Sequence, residues 1–145
     1  ALYKFASKML NDEPIDVYNF GEMERDFTYV GDLVKAIELL FSHPPSAETT
    51  QEPVISCDSL SPSAPHRICN IGNSQPINLM EYIKELEKNL KIESKKNYVE
   101  MQTGDVPKTF ANVDLLRELT GFVPSTPIAT GVKRFANWYL EYQSK

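Results

Sequence analysis

Arg25, followed by Asp26, Phe27, Thr28, Tyr29 and Val30, is the residue of this chain best suited to chemistry. Its guanidinium is a planar fork of donors that matches a pair of phosphate oxygens, a geometry that lysine reproduces poorly. The alternation around it reads as a short strand, with the arginine leaving on the face opposite Asp26 and in the same sense as Phe27 and Tyr29. The plain alternative is a surface ion pair with Glu22, Glu24 or Asp26, a common arrangement worth about 0 to 1 kcal/mol. The formal charge is -5, from 15 basic and 20 acidic residues, so an anionic ligand needs a local cation of this kind. The same balance argues against nucleic-acid binding, since Lys95-Lys96 is too small a cluster for a phosphate backbone.

Other chemistries find little support. Cys57 and Cys69 lack metal-ligand spacing and histidine neighbours, so reduced thiols are expected and no metal. His43 and His66 flank a Pro/Ser-rich stretch without a nucleophile partner, which argues against a triad. Trp138, Tyr139 and Tyr142 read as packing residues, and Glu81, Glu85 and Glu87 as a solvated helix face. No Gly-x-x-Gly-x-x-Gly follows a strand, so a dinucleotide phosphate cradle is missing. No apolar run approaches the roughly 18 residues of a membrane span. There is no leader-like pattern and no N-x-S/T acceptor, and a cytoplasmic location is expected.

The elements that must position Arg25 follow from periodicity. At 145 residues one compact domain is expected. Leu2, Phe5, Ala6, Met9 and Leu10 predict a helix that Pro14 ends, and Ile15 to Tyr18 alternates like a strand. Asn19 to Glu22 offers turn residues before the Arg25 to Val30 run, so a β-hairpin is predicted. Asp32 is the expected N-cap of a helix buried through Leu33, Val34, Ile37, Leu40 and Phe41. Residues 43–65 read as a long, flexible Pro/Ser-rich loop. His66 to Asn73 predicts a short strand, and Asn78 with Glu81 a capping box for a helix lined by Leu79, Tyr82, Ile83, Leu86 and Leu90. A strand over Tyr98 to Gln102, a loop over Thr103 to Pro107 and a short helix from Asp114 to Leu119, stopped by Gly121, come next. Thr126 as cap and Pro127 at the first position open a last helix with Ile128, Val132, Phe135, Ala136 and Tyr139 on one face. The opening on Ala1-Leu2-Tyr3, already helical and without methionine, suggests a piece of a longer protein.

Three blocks in order carry a family resemblance. The first is Val17-Tyr18-Asn19-Phe20-Gly21, three residues, then Arg25-Asp26-Phe27-Thr28-Tyr29-Val30-Gly31-Asp32. The second is Cys69-Asn70-Ile71-Gly72. The third is Met101-Gln102, then Gly104-Asp105-Val106, with a Gly-Phe-x-Pro stop at Gly121 to Pro124. Over nearly its whole length the chain resembles nucleotide-sugar epimerases of the extended short-chain dehydrogenase/reductase superfamily, most of all UDP-glucuronate 4-epimerases. The fold implied is α/β, the C-terminal substrate-binding part of a Rossmann-like enzyme whose nucleotide-binding half is absent.

By that resemblance, backbone groups near Tyr18 and Phe20 face uracil, Arg25 contacts the UDP diphosphate, Asp105 accepts from a ribose hydroxyl, and Asn70 orients the nucleotide. Gln102 stands where galactose-type epimerases carry a second phosphate-binding arginine, so it offers hydrogen bonds without charge. The implied cofactor is NAD, bound by a missing N-terminal part, where it takes hydride from C4 of the sugar and returns it to the other face. The family's Tyr-x-x-x-Lys acid/base pair is also absent, so the chain alone lacks catalytic residues. The full-length parent is expected to be a homodimer with a UDP-sugar substrate and no nucleic-acid or membrane partner. A dTDP-glucose 4,6-dehydratase, a UDP-glucuronate decarboxylase and a non-catalytic binding module remain the alternatives. The piece is also expected to expose apolar surface by itself, because some of its elements complete the sheet of the absent half.

Overall fold

The computed structural model describes residues 2–46, 52–56 and 58–144. The backbone divides into two compact units where the chain's length suggests one. The first comprises Ala1–Arg25, Pro76–Thr109 and Pro127–Lys145; the second comprises Asp26–Gln75 and Phe110–Thr126.

In the first unit, α1 (Leu2–Leu10) buries Ala6 and Met9 on the expected stripe. Strand β1 (Ile15–Tyr18) alternates as predicted, with Ile15 and Val17 fully buried. Its partner differs from expectation. The predicted hairpin with residues 25 to 30 does not form, and β1 instead pairs in parallel with β4 (Lys96–Val99), Ile15 opposite Lys96 and Tyr18 opposite Val99. Parallel strands need a long crossover, and α3 (Leu79–Leu90) lies within it. The Arg25 run yields only the two-residue β2 (Glu24–Arg25), antiparallel to β3 (Ile77–Asn78). Alternation reports which residues share a face, not which chain segment lies alongside.

Helix α3 (Leu79–Leu90) is as the sequence predicts: Asn78 Oδ1 accepts from Met80 N at 2.8 Å, and Leu79, Tyr82, Ile83, Leu86 and Leu90 are buried. It packs on α5 (Ile128–Gln143), which buries Val132, Ala136 and Tyr139. Burying each such leucine, isoleucine or valine contributes about 1.5 to 3 kcal/mol. Pro127, not Thr126, is the N-cap of α5, because the Thr126 hydroxyl is engaged by Asp32. Glu87 is not on a solvated face. Its Oε1 accepts from Ser94 N (2.9 Å), Ser94 Oγ (2.6 Å) and Lys96 Nζ (2.6 Å), tying α3 to β4. Burial pushes this carboxyl up, but the bonds from Lys96 and Ser94 outweigh it and hold the group below its ordinary 4.5.

In the second unit, α2 (Val30–Leu40) packs on α4 (Asp114–Thr120) around Ala36, Val113 and Leu116. Gly121, at φ 67°, closes α4. Tyr29, not Asp32, takes the N-cap position of α2. Asp32 lies in the first turn, where its carboxylate accepts from Ser125 N (3.1 Å), Thr126 N (2.8 Å) and Thr126 Oγ1 (2.9 Å). The expected burial of α2 through Leu33, Val34, Ile37, Leu40 and Phe41 is not realised: Leu40 is half-buried and the other four are exposed, Val34 at 59% and Phe41 at 80%, and the residue α2 buries is Ala36. Residues 66–73 run without helix or strand, and Ile68 is 64% exposed. A strand exists only when a neighbour completes its ladder, and none pairs with this segment in the described residues.

Residues 47–51 and 57 of the predicted loop, Cys57 included, lie outside the described residues. The described remainder of 43–65 holds no helix or strand. Its buried Asp58 accepts from Arg67 Nε (2.9 Å) and Nη2 (3.1 Å) and from the backbone of Val54 and Leu60. Burial pushes the Asp58 carboxyl up, yet these bonds together leave it below the usual aspartate range. Cys69 is an unpaired thiol, pushed up by burial. Among the described residues no helix is long and apolar enough to cross a membrane, and no cluster of three or more metal-ligating side chains occurs.

Candidate functional site

Arg25 ends β2, and the strand that carries it is held on both edges. Glu24 pairs with Asn78 on one side; on the other, Glu24 N donates to Pro107 O (2.9 Å) and Thr109 N donates to Glu24 O (3.2 Å). Lys108 and Glu24 add an ion pair at 2.5 Å. The backbone under the guanidinium is therefore fixed from two distant parts of the chain.

The guanidinium itself meets Asp105. Nη2 donates to Asp105 Oδ1 at 2.8 Å and Nη1 to the Glu24 carbonyl at 3.0 Å, with Met23 Sδ 3.9 Å from Nη2. Asp105 is presented by a turn in which its own N–H donates to Gln102 O at 3.0 Å, Gly104 adopts φ 86°, and Val106 N donates to Asp105 Oδ1 at 2.9 Å. Two residues separated by 80 positions thus share one place.

The two side chains are 23% and 38% exposed. An ion pair this open is worth about 0 to 1 kcal/mol, whereas a hydrogen bond to a charged oxygen contributes about 1.5 to 3 kcal/mol. An arginine paired this openly is accessible to an added anionic acceptor. A guanidinium also has five N–H donors, so it can accept a second partner while keeping the first.

Tyr18 closes β1, and the turn after it is unusual. Asn19, Phe20 and Gly21 adopt φ of 48°, 51° and 88°, three left-handed residues in a row. Each non-glycine residue in that region costs about 1 to 2 kcal/mol. Yet Phe20, at the centre, is 59% exposed and so returns little burial for the strain. Backbone strain of this kind concentrates at functional turns. Gln102 is exposed, and its carbonyl closes the Asp105 turn. Asn70, by contrast, belongs to the second unit, where it is exposed. Tyr18, Phe20, Arg25, Gln102 and Asp105 all belong to the first.

One residue of the Arg25 string has a role that its type alone did not disclose. The Asp26 carboxylate accepts from three backbone amides, Asn73 N (3.1 Å), Ser74 N (3.0 Å) and Ala111 N (3.0 Å), and so organises the second unit. Gly72 is glycine for this reason: a Cβ there would lie 2.3 Å from Ala111 Cβ and 3.0 Å from Asp26 Oδ2. A carboxylate following an arginine reads as its ion-pair partner in sequence, and only the folded chain brings the amides to it.

Residues 1–56 match the NAD dependent epimerase/dehydratase family. Protein CapI of Staphylococcus aureus is 47% identical over 100% of the chain and 43% of its own length. The "Probable UDP-glucuronate 4-epimerase" of Rhizobium meliloti (strain 1021) is 47% identical over 96% of the chain and 41% of its own length. The chain thus spans about two-fifths of the length of the curated relatives it matches. The crystal structure of UDP-glucuronic acid 4-epimerase from Bacillus cereus in complex with UDP-glucuronic acid and NAD shares the fold, with a TM-score of 0.76 at 20% identity over 98% of the chain and 40% of that protein. By these likenesses the chain is an α/β fragment that matches the C-terminal part of extended short-chain dehydrogenase/reductase proteins, and its first 56 residues match the NAD dependent epimerase/dehydratase family.

Proposed function

We propose that this chain is the UDP-binding part of an NAD-dependent epimerase that interconverts UDP-glucuronate and UDP-galacturonate at C4. The observation that carries the reading is the Arg25–Asp105 pair at 2.8 Å, a phosphate-matching fork beside a hydroxyl acceptor. Arg25 turns its donors to the diphosphate, and Asp105, relieved of part of that bond, accepts from the ribose. Backbone groups at Tyr18 and Phe20 receive the uracil, and Gln102 adds neutral hydrogen bonds. Holding UDP at these points leaves the sugar to turn over while the nucleotide stays bound, which is a positioning contribution to the rate.

The sequence carries neither Gly-x-x-Gly-x-x-Gly nor Tyr-x-x-x-Lys, so the residues present do not fit NAD and no redox step is assigned to them. In this reading the cofactor site and the acid/base lie in the remainder of a homodimeric parent. The relatives, of which the chain spans about two-fifths, support that division. The experiment is to incubate the full-length parent with UDP-glucuronate and separate the nucleotide sugars by chromatography. UDP-galacturonate is expected; a 4-keto or pentose product, or none, would refute the assignment.

A further inference from the structure

The strained turn at Asn19–Gly21 needs neighbours that over-determine it. Two bonds close it internally: Asn19 Nδ2 donates to Glu22 O, and Glu22 N donates to Asn19 O, both at 2.8 Å. The rest of the support comes from the start of α3. Asn78 Nδ2 donates to Gly21 O at 3.5 Å. Met80 lies against Gly21 so closely that a Cβ there would be 2.8 Å from its Sδ and 2.9 Å from its Cγ. The same Asn78 caps α3 by accepting from Met80 N and stands opposite Glu24 in the β2–β3 ladder, one residue from Arg25. A single helix start therefore braces both the turn and the strand of the candidate site.

We propose that Met80 is the positioning residue of the nucleotide-facing turn: pressed on Gly21, it keeps Phe20 presented to solvent, and it touches no ligand itself. This rests on reading the Tyr18–Phe20 turn as the base-binding element. An unbranched thioether suits the task, because it conforms to a backbone surface with little strain of its own. Truncation would leave a void under Gly21, and the left-handed run would relax into it.

The test is a double-mutant cycle in the full-length parent, titrating UDP calorimetrically into wild type, Phe20→Pro, Met80→Ala and the pair; proline removes the backbone N–H and cannot hold the φ of 51°. Met80→Ala is expected to weaken UDP about tenfold, which corresponds to about 1.4 kcal/mol. KM should rise while kcat stays within about twofold, since uniform binding is what is lost. Met80→Leu, which conserves volume, should restore wild-type binding. With Phe20 already proline, Met80→Ala should add less than about twofold, because the two act through one element. Equal losses in both backgrounds, or a fall in kcat at unchanged KM, would overturn the proposal. If Phe20→Pro leaves UDP binding unchanged, the base-binding reading of the turn's backbone fails and this inference with it. If Phe20→Pro weakens binding and Met80→Ala does not, only the positioning role fails. Should Met80→Ala not fold, Met80→Val is read by the same criteria.

Discussion

Replacing Arg25 by alanine in the full-length parent removes the one cation on which the diphosphate reading depends. In the folded chain its Nη2 holds an open ion pair with Asp105 at 2.8 Å, which by the proposed reading it would give up to reach a phosphate. That pair is worth at most about 1 kcal/mol, which the exchange gives up. The charge-assisted bond gained contributes about 1.5 to 3 kcal/mol, so the net is about 0.5 to 3 kcal/mol and alanine should weaken UDP roughly 2- to 150-fold by calorimetry. Arg25→Lys should recover only part of the loss, because the charge returns without the fork. Asp105 supplies a control of opposite sign. Asp105→Asn frees the guanidinium, so inorganic pyrophosphate should bind up to about fivefold more tightly, the equivalent of the broken pair. UDP, which loses its ribose acceptor, should bind more weakly. Unchanged UDP affinity in Arg25→Ala, or equal responses of UDP and pyrophosphate to Asp105→Asn, would refute the reasoning.

Three further outcomes are expected. Asp26→Asn places an amide nitrogen against at least one of the backbone donors at Asn73, Ser74 and Ala111; it should destabilise the protein by about 1 to 3 kcal/mol in urea titrations, and a change below about 0.5 kcal/mol, the scatter of ordinary surface substitutions, would contradict the three-amide role. Glu87 is held below its ordinary 4.5 in the fold, so its contribution is present above that pH and is lost as pH falls through the depressed value. Asp58, held low in the same sense, adds to this. Urea midpoints should decline as the pH is lowered from 5 towards 3, and Glu87→Gln should be less stable at pH 7 with a shallower decline; parallel curves would exclude the Glu87 role. Finally, the 145-residue chain supplied with NAD and UDP-glucuronate should give no epimerised product by chromatography, and measurable turnover would overturn the division of labour.

What the sequence determined by itself is local. The five apolar residues of α3 with their Asn78 cap, the alternation of Ile15 to Tyr18, the Gly121 stop and the prominence of Arg25 all follow from periodicity and side-chain chemistry, which act within a few residues. The tertiary structure decided what depends on partners: that β1 lies beside β4 rather than the Arg25 run, that residues 66–73 join no ladder, that Glu87 meets Lys96, and that Asp26 collects three amides. The pairing of Arg25 with Asp105 and the left-handed run at Asn19–Gly21 belong to this second class. The reason is that a pattern states which face a residue prefers, whereas a ladder, an ion pair or a strained turn exists only once a distant segment has come to meet it.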